Sequence, residues 1–231
     1  MGSLALLLQD LIEEPKLIDW EWISENFWED IVPAIQGHIF LSFVSVAIAL
    51  AIALPIGVLS ARYRKLYPPV TFFTGFLYSI PSLALFGILV SIGVGIGPKP
   101  VIIALVAYSL LILIRNVVAG LDSVPPETID AARGMGLTNR QILFGVELPL
   151  ALPIIVAGIR IATVTIIGIA TIGAYIAAGG LGKMIFDGIN RNFPTMIITG
   201  AVLATALAIL ADLLLLALER RLRPWARVRR A

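Results

Sequence analysis

The sequence predicts an all-α integral membrane protein with about five transmembrane helices. Of its 231 residues, 59% are hydrophobic and 14% are charged, whereas soluble domains average about 45–50% apolar and 25% charged residues. Hydrophobic runs that reach the roughly 20 residues needed to cross a bilayer recur along the chain. A soluble domain of this length does not bury so much apolar surface, so the composition excludes the soluble classes.

Five hydrophobic runs follow one another in order. The first two contain no lysine, arginine, aspartate or glutamate, and each of the other three contains one such residue. A charge in hydrocarbon costs about 2.5–3.5 kcal/mol on insertion scales, so these side chains must face protein or water. They are the polar candidates within the membrane, Arg115, Arg160 and Asp212. The predicted spans are residues 36–61, 70–93, 101–121, 149–172 and 194–218.

The ionisable residues of the spans receive structural interpretations. Arg115 and Asp212 lie toward the same ends of their spans, so we expect snorkelling or mutual pairing. Arg160 lies deeper and is interpreted as structural, with lining of a pathway or anchoring of a loop helix as the alternatives. His38, near the start and expected outer end of the first span, is most simply a residue of the membrane interface. With one histidine and no cysteine, no metal site and no disulfide are expected.

Basic residues indicate the orientation of the spans. With five spans and a cytoplasmic C-terminus, eleven basic residues fall on the cytoplasmic side and four outside. The positive-inside rule therefore favours an outer N-terminus and a cytoplasmic C-terminus. The aromatic and acidic start of the chain suits the headgroup region, with docking of an external partner as the alternative. The predicted segments are an interfacial amphipathic segment (1–35), the transmembrane domain (36–218) and a basic cytoplasmic tail (219–231).

A polar loop at about residues 122–149 separates the third and fourth spans. Ser123 or the prolines at 125 and 126 can begin a first short helix, since proline suits an opening turn. Gly134 and Gly136 can end that helix in a left-handed conformation. Thr138 and Gln141 match a capping box, which begins a second helix toward the fourth span. A chain needs no such loop merely to reverse direction, so the loop indicates a cytoplasmic partner.

The loop also carries a spaced motif. Asp130-Ala131-Ala132, three residues, Gly136, nine residues, Val146, one residue and Leu148-Pro149 resemble the EAA loop of ATP-binding-cassette (ABC) importer permeases. In that pattern glutamate and isoleucine stand where this chain has Asp130 and Val146. The resemblance implies a type I ABC importer permease-like fold, with a cytoplasmic coupling helix that fits a cleft of an ATPase subunit. The residues that it assigns to ATPase coupling are Asp130, Ala131, Ala132, Gly134, Gly136, Leu148 and Pro149.

Two longer stretches narrow the resemblance. Residues 120–160 and 167–182 are similar to permeases for osmoprotectants such as glycine betaine, choline and carnitine. The resemblance implies ATP-driven, binding-protein-dependent import of these quaternary ammonium compounds. A permease of a methionine-type or other amino acid ABC importer is the alternative, because such permeases share five spans, an EAA loop and a Gly-rich loop before the last span. A channel or secondary transporter is a further alternative, which the long loop disfavours.

The resemblance also implies partners. They are cytoplasmic ABC ATPase subunits, a second permease copy that is identical or paralogous, an external substrate-binding protein and the lipid bilayer of the plasma or inner membrane, with no nucleic acid. ATP and Mg²⁺ would bind the ATPase, so this chain is expected to carry no cofactor and no catalytic residue. Its run at 177–184 departs from a phosphate-binding loop at Ala177 and Met184, and its glycines are interpreted as a tight turn into an outer re-entrant or surface segment.

Small residues recur at the spacing of helix contacts. In lipid no hydrophobic force drives helices together, so close approach over small side chains is the usual basis of their association. Gly93, Gly95 and Gly97 are interpreted instead as a turn between spans. The predicted contact stripes are Ala49/Ala53/Gly57, Ala170/Ala174/Ala178 and Ala204/Ala208.

Overall fold

Helices make up most of the structure, a computed structural model that describes residues 17–222. No strand occurs within these residues. The start of the predicted segment 1–35 and most of the predicted tail 219–231 lie outside the described residues. The α-helices of the described part are α1 (Trp20–Glu25), α2 (Val32–Arg62), α3 (Tyr67–Ser79), α4 (Ser82–Ser91), α5 (Pro98–Asp122), α6 (Pro126–Gly134), α7 (Asn139–Ile142), α8 (Leu148–Ile172), α9 (Leu181–Asn190) and α10 (Pro194–Arg221).

Four helical runs are long and apolar enough to cross a membrane, and a bent pair of helices gives a fifth span if the pair is counted as one. Two π-helical turns, Phe27–Ile31 and Leu143–Glu147, extend the runs that contain α2 and α8. The predicted count of about five spans agrees with these four runs and the bent pair, which follow one another in the predicted order. The four unbroken runs are Phe27–Arg62, Pro98–Asp122, Asn139–Ile176 and Pro194–Arg221.

The predicted second span, 70–93, is wrong as a single helix. α3 and α4 meet at an angle of 94°. Pro81 lacks an amide hydrogen and restricts the residue before it, and Ile80 is extended with φ −69° and ψ 129°. The hydroxyl of Tyr108 on α5 donates a hydrogen bond of 2.7 Å to the Ile80 carbonyl oxygen. The bend is therefore fixed by a proline and by a contact with the central helix.

α5 lies at the centre of the bundle, packed between α2 and α8. Ala49 and Ala53 of α2 are fully buried. A Cβ atom added to Gly57 would lie 2.6 Å from Val117 Cγ1 on α5, so this predicted contact stripe is confirmed. The stripe predicted from Ala170 onward is wrong, because α8 ends at Ile172 and the chain then leaves the helix axis.

The glycine-rich turns lie at the end of the bundle opposite the polar loop. Gly93, Gly95 and Gly97 all have positive φ, which confirms the predicted turn. Gly179 and Gly180, with φ of 77° and 71°, lead into α9. This helix packs against α8 and α10, and it presents one buried face and one exposed face.

The start of the described chain is held against the same end of the bundle. Asp19 caps α1, where its side chain accepts hydrogen bonds from two backbone amides. The Trp22 ring packs edge-on against Phe193, with ring centroids 5.4 Å apart. Trp20 and Trp28 are about three-quarters exposed. Burial in lipid headgroups and contact with an external partner both fit this arrangement, so the two interpretations stay predictions.

Candidate functional site

The polar loop contains the first predicted helix, with one correction at its end. α6 begins at Pro126, preceded by Pro125 as its N-cap, so the prolines and not Ser123 begin it. Gly136 has φ of 82° and ends the segment in the left-handed region. Gly134 has no positive φ and is the last residue of the helix, so its predicted left-handed conformation is wrong.

The predicted capping box is present at the second helix. The side-chain oxygen Oε1 of Gln141 accepts a hydrogen bond of 2.8 Å from the Thr138 amide, and Thr138 Oγ1 accepts one of 3.4 Å from the Gln141 amide. The helix that follows is not a separate element. It continues through the π-helical turn into α8, where Leu148 and Pro149 are the first residues. A displacement of this part of the loop would therefore also move the span that contains α8.

The small residues of the motif differ in their exposure. Ala131, Gly134 and Gly136 are exposed, and so is Asp130, which lies 3.4 Å from Arg133 within the same helix. Ala132 is only 2% exposed. It therefore offers almost no surface for direct contact with a partner, and its role in ATPase coupling stays a prediction. The accessible surface of the motif is the face that carries Ala131.

The loop also exposes two large apolar side chains. Met135 is 74% exposed and Phe144 is 61% exposed. Neither was predicted as a site residue. The signal available in the sequence was the presence of bulky apolar residues within an otherwise polar loop. Large apolar side chains that are exposed in a polar loop are candidates for a protein contact surface.

Both ends of the loop are joined to arginines at the end of α2 and just after it. Arg64 donates two hydrogen bonds to the carboxylate of Asp122, of 2.5 and 2.9 Å. Arg62 donates one of 2.5 Å to Glu147 Oε2. Sequence reasoning missed both pairs, because 58 and 85 residues separate the partners along the chain.

The charged residues within the spans form a cluster between α8 and α10. Arg160 donates to both carboxylate oxygens of Asp212 at 3.0 Å and to Glu219 at 2.9 Å. Of the two expectations for Arg115 and Asp212, mutual pairing is wrong and snorkelling stays a prediction. Arg115 is exposed and makes no ion pair within residues 17–222. The structural interpretation of Arg160 agrees with its position as a bridge between two spans.

His38 is fully buried, so the predicted position at the membrane interface is wrong. Its Nε2 atom lies 3.0 Å from the carbonyl oxygen of Ile167 on α8. Gly180 lies against the other side of the imidazole, where a Cβ atom would be 3.0 Å from Nδ1. The histidine therefore joins α2, α8 and the glycine-rich turn. Residues 17–222 contain no group of three or more side chains that could hold a metal ion.

Apolar helices long enough to cross a membrane, joined to a polar loop with an accessible face, fit the permease class of membrane transport subunits. The chain belongs to the family described as binding-protein-dependent transport system inner membrane components, whose model matches residues 53–224. That match includes the polar loop, the charged cluster and four of the five crossings.

Curated relatives agree with this family. The chain is 44% identical to the osmoprotectant import permease protein OsmW of Salmonella typhimurium, over 81% of this chain and 89% of that protein. It is 42% identical to the glycine betaine/carnitine/choline transport system permease protein OpuCD of Bacillus subtilis, over 81% and 82% of the two chains. It is 40% identical to the carnitine transport permease protein OpuCB of Listeria monocytogenes, over 82% and 86%.

Solved structures show the same fold. An inward-facing MetNI methionine ABC transporter has a chain that superposes with a TM-score of 0.75 at 29% identity, over 83% of this chain and 95% of that one. A chain of an amino acid ABC transporter gives a TM-score of 0.73 at 18% identity, over 88% and 99% of the two chains. The second likeness concerns the fold alone. The predicted type I importer architecture is therefore confirmed.

Proposed function

We propose that this chain is the permease subunit of an ATP-driven, binding-protein-dependent importer of osmoprotectants, which are small quaternary ammonium compounds such as glycine betaine, choline and carnitine. The observation that carries the transport proposal is the polar loop, which combines the EAA-like motif with an accessible face. The substrate class rests on relatives that are 40–44% identical over about four-fifths of the chain. Import of methionine or another amino acid is the second candidate, favoured by the MetNI superposition.

The accessible face of the loop is the proposed docking surface for a cytoplasmic ABC ATPase. Ala131 allows close approach of the partner, since it carries almost no side chain. Met135 and Phe144 supply apolar area that a cleft can bury. The exposure of these two side chains supports the proposal. ATP and Mg²⁺ would bind the ATPase, and this chain would contribute contacts and motion but no catalytic group.

The remaining partners follow from the same proposal. A second permease copy, identical or paralogous, would complete the pathway, and an external binding protein would deliver the substrate. The polar loop would lie in the cytoplasm, with the N-terminus outside. ATP-driven closure of two ATPase subunits would bring the two coupling helices together and turn the pathway outward, and hydrolysis would reverse the change. Selective recognition would reside mainly in the binding protein.

Ala131→Trp tests the ATPase docking surface. The indole adds a large side chain, about 150–250 Å², at an exposed position where it meets nothing inside the permease. We expect normal membrane abundance, loss of ATPase co-purification and loss of ATP-dependent uptake in proteoliposomes. Asn190→Trp, at an exposed position at the other end of the bundle, is the control and should keep the ATPase bound. Full ATPase binding and full uptake with Ala131→Trp would contradict the assignment.

Substrate class and orientation have separate tests. Proteoliposomes that contain the complete transporter should accumulate radiolabelled glycine betaine, choline or carnitine in preference to methionine, and the reverse preference would favour the second candidate. The chain has no cysteine, so a single cysteine in place of exposed Ser123 or Lys183 can report sidedness. An impermeant thiol reagent applied to whole cells should label position 183 and spare position 123.

A further inference from the structure

Two acidic residues lie at the two ends of the polar loop and bind two arginines that are close together in the chain. Asp122 is the last residue of α5, before the loop, and Glu147 is the last residue of the π-helical turn, after it. Arg62 ends α2, and Arg64 follows two residues later. Arg62 pairs with Glu147 and Arg64 pairs with Asp122. We refer to these four residues as the loop clamp.

The two ion pairs of the loop clamp differ in burial. The Glu147 side chain is only 7% exposed, so it depends on Arg62 for compensation of its charge. The pair between Arg64 and Asp122 is largely exposed, but both carboxylate oxygens are engaged, which fixes the relative orientation of the two groups. A small cavity of about 200 Å³ is bordered by three residues of the loop clamp, Arg62, Asp122 and Glu147, and by Ile129 of α6.

The loop clamp joins elements that the chain does not connect. The loop itself links α5 to α8, and a force on α6 reaches those two spans through the backbone. α2 is outside this connection, because it precedes both spans in the sequence and its next connection is to α3. α2 packs against α5 and α8 within the bundle, and the two arginines add a polar link between the end of α2 and both ends of the loop. Networks of ion pairs between rigid elements are a recognised physical route for such coupling.

We infer that the loop clamp makes both ends of the coupling loop and the adjacent end of α2 move as one body, so that displacement of the loop by an ATPase is transmitted to the first span. This inference rests on the proposed function. The four residues are positioning residues, since they contact neither substrate nor nucleotide in this role. The loss of the clamp should therefore separate ATP hydrolysis from transport rather than abolish either partner's binding.

Charge reversal of the exposed pair gives the cleanest test. Exposed ion pairs contribute little to stability, so Arg64→Asp should leave the permease folded and at normal abundance. In proteoliposomes with ATPase, binding protein and radiolabelled glycine betaine, uptake per ATP hydrolysed should fall by up to about 5-fold, the largest effect that an exposed ion pair supports. The combined change Arg64→Asp and Asp122→Arg should restore that ratio, because arginine also suits the C-terminal end of α5.

Lys183→Glu is the matched control. Lys183 forms an exposed ion pair with Asp187 on α9, at the opposite end of the bundle, and its reversal should leave uptake per ATP unchanged. ATP-dependent uptake by the wild-type transporter tests the proposed function, whereas the change in ratio between variants tests the loop clamp. An unchanged ratio with Arg64→Asp, or an equal fall with Lys183→Glu, would overturn the inference.

A covalent link provides a second, independent test. The chain has no cysteine, so Arg64→Cys with Asp122→Cys can be joined specifically by a short bifunctional thiol reagent. If the end of α2 and the start of the loop move as one body, the cross-linked protein should recover uptake per ATP. The comparison is with the same variant after treatment with a monofunctional reagent. Arrest of transport by the link would show that the ends must separate during the cycle and would overturn the inference.

Discussion

Gly182 allows α9 to lie against the end of α8, and its replacement by alanine tests that packing. A Cβ atom on Gly182 would lie 1.9 Å from the carbonyl oxygen of Thr171. Ordinary contacts begin at 3.4 Å, so the two backbones would have to separate by about 1.5 Å. Because the obstructing group is backbone, no change of rotamer can relieve the contact.

The expected loss of stability is large for a single methyl group. Overpacking costs about 1–3 kcal/mol in well-packed interiors, and we expect Gly182→Ala to reach about 3 kcal/mol because backbone must move. Each kcal/mol corresponds to about 2–4 °C in a chain of this size, so Tm should fall by about 6–12 °C.

Gly168→Ala is the control for this measurement. Gly168 lies on α8 close to Thr171, and nothing lies within 4 Å of its Cβ position. Alanine is favoured over glycine inside a helix, so the control should keep or slightly raise Tm. Tm is measured in detergent from the fraction of protein that remains monodisperse after heating. Equal Tm values for the two variants would refute the close approach of α9 to α8.

Three further substitutions test contacts within the bundle. Arg160→Gln removes the cation that two carboxylates of α10 share, so it should lower Tm, whereas Arg115→Gln at an exposed position should not; equal effects would contradict the bridge between spans. Tyr108→Phe removes the hydroxyl that binds the bend between α3 and α4, at a cost of about 0.5–1.5 kcal/mol, and should speed amide hydrogen exchange there; unchanged exchange would argue against that contact. His38→Phe loses the hydrogen bond to α8 and should also lower Tm, so a wild-type value would exclude a stabilising role.

Local signals in the sequence were sufficient for the spans and for parts of the loop. The thickness of the hydrocarbon layer sets a minimum length for an apolar run, so the run lengths predict five crossings without knowledge of their packing. The capping box at Thr138 involves partners three residues apart, and the left-handed turn at Gly136 depends on one residue. Such features need no tertiary contact, which is why they were predictable.

The bend within the second crossing was only partly predictable. Pro81 is visible in the sequence, and proline is unfavourable inside a helix. Pro55 and Pro153, however, lie inside unbroken helices. Proline alone therefore does not determine a break. At Pro81 the tertiary structure decides, since Tyr108 of another helix binds the carbonyl group that the bend releases.

The candidate site depended on tertiary structure for the direction in which each side chain points. The motif predicts that Ala131 and Ala132 lie on one short helix, but only packing exposes the first and buries the second. The partners of Arg160 lie 52 and 59 residues away along the chain. The partners within the loop clamp are 58 and 85 residues apart. The surface of a membrane helix is apolar both toward lipid and toward its neighbours. Hydropathy therefore determined which residues lie within the membrane, whereas the rotation of each helix and its choice of neighbour were decided only by packing between helices.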